Sequence, residues 1–190
     1  EKITKYPQRK QNLEDEIKRL EESDDPNKDK KIKILEKRDT IGKIGFDSLI
    51  IADFDESLKS ITTSLLYTDI SPKKTYFITL NQWFDESLLK ETSYQPIYYP
   101  SINKKNYDEF INLYFKQFNE YPNQLSFLSY DLIGLVYYLI VQNNWNLDQK
   151  IFLKKNKFKG KVGIFEIQDK KINHILNFYK IENNNIKKIF

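Results

Sequence analysis

The feature that most constrains this chain is an alternation of short β-rich and helical stretches between Phe46 and Leu88. Phe46-Asp47-Ser48-Leu49-Ile50-Ile51-Ala52 is a compact apolar run that follows Gly42 and Gly45, and it reads as a buried strand. Leu58, Ile61, Leu65 and Leu66 then recur at helical spacing. Ser71-Pro72-Lys73-Lys74 is a turn, Thr75 to Leu80 a second β-rich run, and a short helix follows. Strand–helix–strand–helix at this spacing predicts parallel strands covered by helices, an α/β fold.

The two units share a pentapeptide, Phe54-Asp55-Glu56-Ser57-Leu58 and Phe84-Asp85-Glu86-Ser87-Leu88. Acid pairs after two strands suit an acid/base couple or a metal cage. They equally suit helix starts, with Asp55 and Asp85 capping and Glu56 and Glu86 in the first turn beside the positive end of the helix dipole. The capping reading has the broader support, because Asp-Glu is what a strand-to-helix loop favours.

Outside this core, residues 7–23 predict an amphipathic helix with Leu13, Ile17 and Leu20 on one stripe. Asp25-Pro26 predicts the start of a second helix to about Arg38, with Ile32 and Leu35 facing inward. Ile97-Tyr98-Tyr99 reads as a third strand stopped by Pro100. Tyr107, Phe110, Ile111, Tyr114 and Phe118 define an amphipathic helix over 103–120, ended by Pro122. The stretch from Leu125 to Val141 is apolar on nearly every face; Asp131, Gly134 and its Ser and Tyr residues favour a buried central helix over a membrane span. Leu147-Asp148 opens another short helix. Strands are then expected over 162–168 and 173–181, separated by the turn Asp169-Lys170-Lys171, and over 186–190 after Asn183-Asn184-Asn185.

Several function classes are excluded at this level. The 31 basic and 27 acidic residues leave a net charge of +4 spread along the chain, which predicts no nucleic-acid partner. There is no Cys, which removes thiol catalysis and thiolate metal sites. His174 is the one histidine, so a His-based triad or multi-His metal centre is not available, and in a predicted strand it reads as a surface or hydrogen-bonded residue. Gly160-Lys161-Val162-Gly163 has the spacing of an RNA-clamping loop but precedes a strand, where Gly serves the turn. No phosphate-binding glycine motif occurs. No catalytic residue, metal or cofactor is therefore expected. The chain has no Met, which leads one to expect an upstream segment where a signal peptide or lipid-bearing Cys would sit.

Ligands of parallel α/β sheets bind beyond the carboxyl ends of the strands. Those positions hold Asp53 and Phe54 after the first strand, and Asn81, Gln82 and Trp83 after the second. Trp83 supplies a flat apolar wall with one donor, and the two amides supply donors and acceptors. The competing reading is that Phe54 and Trp83 close the end of the core.

The order of these pieces resembles type I periplasmic binding proteins, the leucine-binding-protein-like superfamily. The resemblance runs through Phe46 to Ile51, Tyr76-Phe77-Ile78-Thr79, Trp83-Phe84-Asp85, Phe118-Asn119-Glu120-Tyr121-Pro122, Ser129-Tyr130-Asp131 and Phe158-Lys159-Gly160-Lys161-Val162-Gly163. It implies a three-layer parallel-sheet lobe with a C-terminal β-ribbon, only the second half of the family's fold. By that resemblance residues 1–190 form a partial domain: about 1–100 and 160–190 belong to the second lobe, and the helices of about 101–159 pack on the first. Within the superfamily, Phe46 to Glu91, with Asp69-Ile70-Ser71-Pro72, and the leading Thr4-Lys5-Tyr6-Pro7-Gln8-Arg9 look most like penicillin-binding-protein activator lipoproteins. The resemblance implies a non-enzymatic regulator of peptidoglycan synthesis that contacts a penicillin-binding protein, in the periplasm or on the periplasmic face of the outer membrane, held there by an upstream lipid. The alternative it leaves open is a solute receptor for an ABC-type amino-acid transporter, with a small amino-acid-like ligand. Helices lacking their first lobe would expose apolar surface.

Overall fold

A computed structural model describes residues 2–146, 148–153, 155–168 and 171–190. Leu147, expected to open a helix, and Asp169-Lys170 of the expected turn lie outside the described residues. The chain is mixed α/β. Five strands form one sheet in the order β1-β2-β3-β7-β8: β1 Ser48–Ile51, β2 Tyr76–Thr79, β3 Ile97–Ser101, β7 Asn177–Glu182 and β8 Asn185–Lys188. β1 pairs with β2, and β2 with β3, in parallel. A second sheet is an antiparallel meander of β4 Asn156–Lys159, β5 Ile164–Gln168 and β6 Lys171–Ile175.

The chain divides into two compact units. The first comprises Glu1–Leu80, Leu89–Tyr98 and Ile181–Asn184. It contains α1 Tyr6–Glu21, α2 Lys28–Leu35 and α3 Asp55–Tyr67, with β1 and β2. Leu58, Ile70, Phe77 and Ile97 are fully buried. α3 ends in a Schellman turn: Asp69 takes a left-handed φ of 60°, Ile70 N–H donates to Leu65 O and Asp69 N–H to Leu66 O. α1 is tied to that turn by Arg9. Its guanidinium donates to Thr68 O at 3.0 Å and to the Thr40 hydroxyl at 2.6 Å, and Thr40 donates to Asp69 Oδ2 at 2.5 Å.

The second unit comprises Asn81–Leu88, Tyr99–Lys180 and Asn185–Phe190. It carries α4 Ser87–Lys90 up to Leu88, α5 Lys104–Phe118, α6 Gln124–Gln142 and the meander. Both long helices start on an Asn whose side chain accepts a backbone N–H three residues on, Asn103 from Asn106 and Asn123 from Ser126. Leu135, Leu139, Ile151 and Ile167 form a buried cluster beside Tyr138 and Phe158.

Five expectations need correction. β1 is not a buried strand; it is the sheet's outer strand, Ile51 is its one buried residue, and Ile50 is 70% exposed. Pro100 does not stop β3, which runs on to Ser101; the register with β2 ends at Ile78↔Tyr98, so the missing Pro N–H falls past that pairing. The strand expected over 173–181 is two strands, because the chain leaves the meander at Ile175 and joins the large sheet at Asn177. α2 stops at Leu35, three residues before Arg38, and has no buried residue. Finally, α6 is not buried all round. Its buried residues are Phe127, Asp131, Leu135 and Leu139, a single stripe at four-residue spacing, while Leu125, Leu132, Ile133 and Tyr137 are each more than half exposed. By length and composition α6 is the one described helix that meets the requirements for crossing a membrane.

Candidate functional site

The residues expected at the strand ends fall in both units. In the first, Asp53 follows β1 and its carboxylate accepts the Phe54 N–H at 2.9 Å. Phe54 is 41% exposed. In the second, Asn81 to Phe84 form a tight turn after β2. Asn81 Oδ1 accepts the Trp83 N–H at 3.0 Å and the Ser101 hydroxyl at 2.8 Å. This anchor holds Trp83 and Phe84 at φ of 50° and 61°, a left-handed conformation that is costly for bulky side chains. Strain of this kind persists only where surrounding contacts over-determine it. Gln82 is buried, and Trp83 is half-buried with its ring 5.7 Å from Phe127 of α6.

The strained turn projects Phe84 into an aromatic cluster. Its ring lies 5.0 Å from Tyr107, 5.1 Å from Tyr179 and 6.1 Å from Tyr99. Tyr179 hydroxyl donates to Ile102 O at 2.9 Å and accepts the Lys104 N–H at 3.0 Å, stitching β7 to the start of α5. Burial pushes the phenols of Tyr99, Tyr107 and Tyr179 above the usual tyrosine range, so they stay neutral. Tyr99 hydroxyl is buried without a hydrogen-bond partner among the described residues.

Two other features stand out in the second unit. The first is the Asp131 carboxylate. Oδ1 accepts the Lys161 N–H at 2.8 Å; Oδ2 accepts those of Val162 at 2.8 Å and Gly163 at 3.1 Å. A Cβ on Gly160 would overlap that carboxylate, which is why glycine stands there. Tyr130-Asp131 and the Phe158-to-Gly163 stretch therefore meet in one structural clasp between α6 and the meander. The second is an apolar groove of about 560 Å³ between α5 and α6, lined by Phe110, Leu113, Tyr114, Phe118 and Tyr130, with Lys161 at its edge. Lys161 Nζ pairs with Glu109 at 3.2 Å. The groove escaped the sequence reading; the three- and four-residue spacing of Phe110, Tyr114 and Phe118 marked the face but could not show that it lies open.

Among the described residues no three His, Asp or Glu side chains group as metal ligands. Asp55 and Asp85, the candidate acids, lie in different units.

This arrangement, parallel strands with helices and a small antiparallel meander, is a periplasmic-binding-protein-like fold. The chain is similar in structure to an extracellular ligand binding receptor from Desulfohalobium retbaense DSM5692, with a TM-score of 0.52 and 16% sequence identity. The match covers 87% of this chain and 29% of that receptor, so this chain spans under a third of that receptor's length. No protein-family model matches the sequence, and no curated protein matches it.

Proposed function

We propose that this chain is part of a non-enzymatic binding protein of the bacterial cell envelope, a regulator of peptidoglycan synthesis that works by contact with a penicillin-binding protein. The observation that carries this reading is the Arg9 junction. Two stretches resemble activator lipoproteins, Thr4 to Arg9 and Phe46 to Glu91, and one hydrogen-bonded chain through Arg9, Thr40 and Asp69 joins the first to the Asp69-to-Pro72 segment of the second. The apolar side of α6 supports a partial domain that is covered by further protein, as the first lobe would cover it. On this reading the protein sits in the periplasm or on the periplasmic face of the outer membrane, attached by an upstream lipid, and Asp53, Phe54, Asn81, Gln82 and Trp83 contribute to binding.

The second reading is a solute receptor delivering a small amino-acid-like ligand to an ABC-type transporter. It is favoured by the neighbour's description as an extracellular ligand binding receptor. The full-length protein separates the two. Retention of a purified penicillin-binding protein on the immobilised regulator, with no thermal shift from a panel of amino acids, is the expected result. Stabilisation by about 2.7 kcal/mol at a hundredfold excess of one amino acid over its dissociation constant, without retention, establishes the receptor instead. Failure in both assays removes both readings.

A further inference from the structure

The small meander carries one titratable group in an unusual setting. Phe165 of β5 and His174 of β6 are directly opposite in register, and their rings stack at 4.4 Å with an interplanar angle of 16°. The row continues to Phe158 of β4 at 6.4 Å from Phe165, and from Phe158 to Tyr138 of α6 at 5.7 Å. At its other end the imidazole meets backbone: a Cβ on Gly163 would overlap Nε2 of His174. That Nε2 is buried and has no hydrogen-bond partner among the described residues. The neighbouring Gly163 N–H belongs to the clasp on Asp131, whose loop is closed by Gly160 N–H donating to Gly163 O at 2.7 Å.

We propose that His174 is an acid-sensitive latch: neutral, it props the Gly160–Gly163 turn against Asp131, and protonated, it releases that turn and loosens the meander from α6. An imidazolium needs an acceptor for its buried Nε2–H, and an unmet one is costly. The carboxylate that acts on the ring is Asp131, and its oxygens already hold three backbone N–H groups. Strand alternation turns the other charges away: Lys157 and Lys159 on β4, Glu166 on β5 and Lys171 on β6 project to the opposite face from Phe158, Phe165 and His174. Glu166 is paired with Lys157 at 3.0 Å, and Lys161 Nζ with Glu109 at 3.2 Å. Protonation therefore either draws Asp131 off its amides or expels the ring.

Burial lowers the pKa of His174 below its ordinary value, with Asp131 opposing. The folded state thus binds the proton less readily than the unfolded chain. Its contribution to stability is complete above the unfolded value of about 6.5 and is lost as pH falls through the lower folded value. Because this is the chain's one histidine, its ring signal in a proton NMR titration is unambiguous.

The test compares wild type with His174→Phe, which keeps the stack on Phe165 and cannot titrate, and with His174→Gln as a second non-titrating variant. Amide exchange at Lys161, Val162 and Gly163, corrected for intrinsic rates and referred to α5 amides, is measured at about pH 7.5 and about pH 5. In wild type, protection falls about tenfold, and the NMR midpoint lies below the ordinary histidine value. In either variant that folds, protection is flat across the range. The same loss in wild type and a non-titrating variant overturns the latch, as does an unchanged protection in wild type.

Discussion

Phe54 to Leu58 and Phe84 to Leu88 are the same five residues in two units, and they behave differently. In the first copy the pentapeptide opens a thirteen-residue helix: Asp55 is its first residue, at a φ of 47°, and no side chain caps the end. In the second copy Asp85 does cap. Its carboxylate accepts the Ser87 N–H at 2.8 Å and the Ser87 hydroxyl at 2.7 Å, but the helix that follows has four residues. The expectation that both aspartates cap thus holds at 85 and fails at 55. The phenylalanines diverge too, Phe54 at 41% exposed and Phe84 at 5%. Only Leu58 and Leu88 play one part, both fully buried. The lesson is that a local motif supplies options, and the contacts on either side choose among them.

The largest expected contrast is at the aromatic position. Phe84→Ala should cost about 3–5 kcal/mol in urea unfolding, because it empties a site between Tyr99, Tyr107 and Tyr179. Phe54→Ala should fall within about 0.5 kcal/mol of wild type. Equal losses would mean that the two copies are not distinguished by burial. Next comes the acid. Asp85→Ala should cost about 1 kcal/mol through the lost cap, whereas Asp55→Gly, which suits a positive φ, should be neutral or slightly stabilising. A larger loss at 55 than at 85 would reverse the assignment. The smallest effect is at Glu56, whose carboxylate meets Lys59 at 2.8 Å on the surface. Glu56→Gln should cost under about 0.5 kcal/mol, and the difference should vanish in molar salt.

Much of the fold was legible from residue order. The period of Leu58, Leu65 and Leu66, the β-rich run before Asn81 and the spacing of Phe110 and Tyr114 each named the right kind of element. The site was legible only as positions. Asn81, Gln82 and Trp83 stand side by side in sequence, and the structure gives them different surroundings: Asn81 is an anchor, Gln82 is buried and Trp83 leans on Phe127. That last contact is long-range, and no spacing rule reports it.

By itself, then, the sequence determined the local alternation: which stretches can be strands or helices, where Asn103 and Asn123 start helices, and which chemistries are absent for want of Cys and further His. Tertiary structure alone decided which side of each element meets protein. α6 reads as apolar on nearly every face, yet one stripe is covered; β1 reads as core, yet stands at the sheet's edge. The physical reason is that hydrophobicity is a property of a side chain, whereas burial requires a partner brought from elsewhere in the chain.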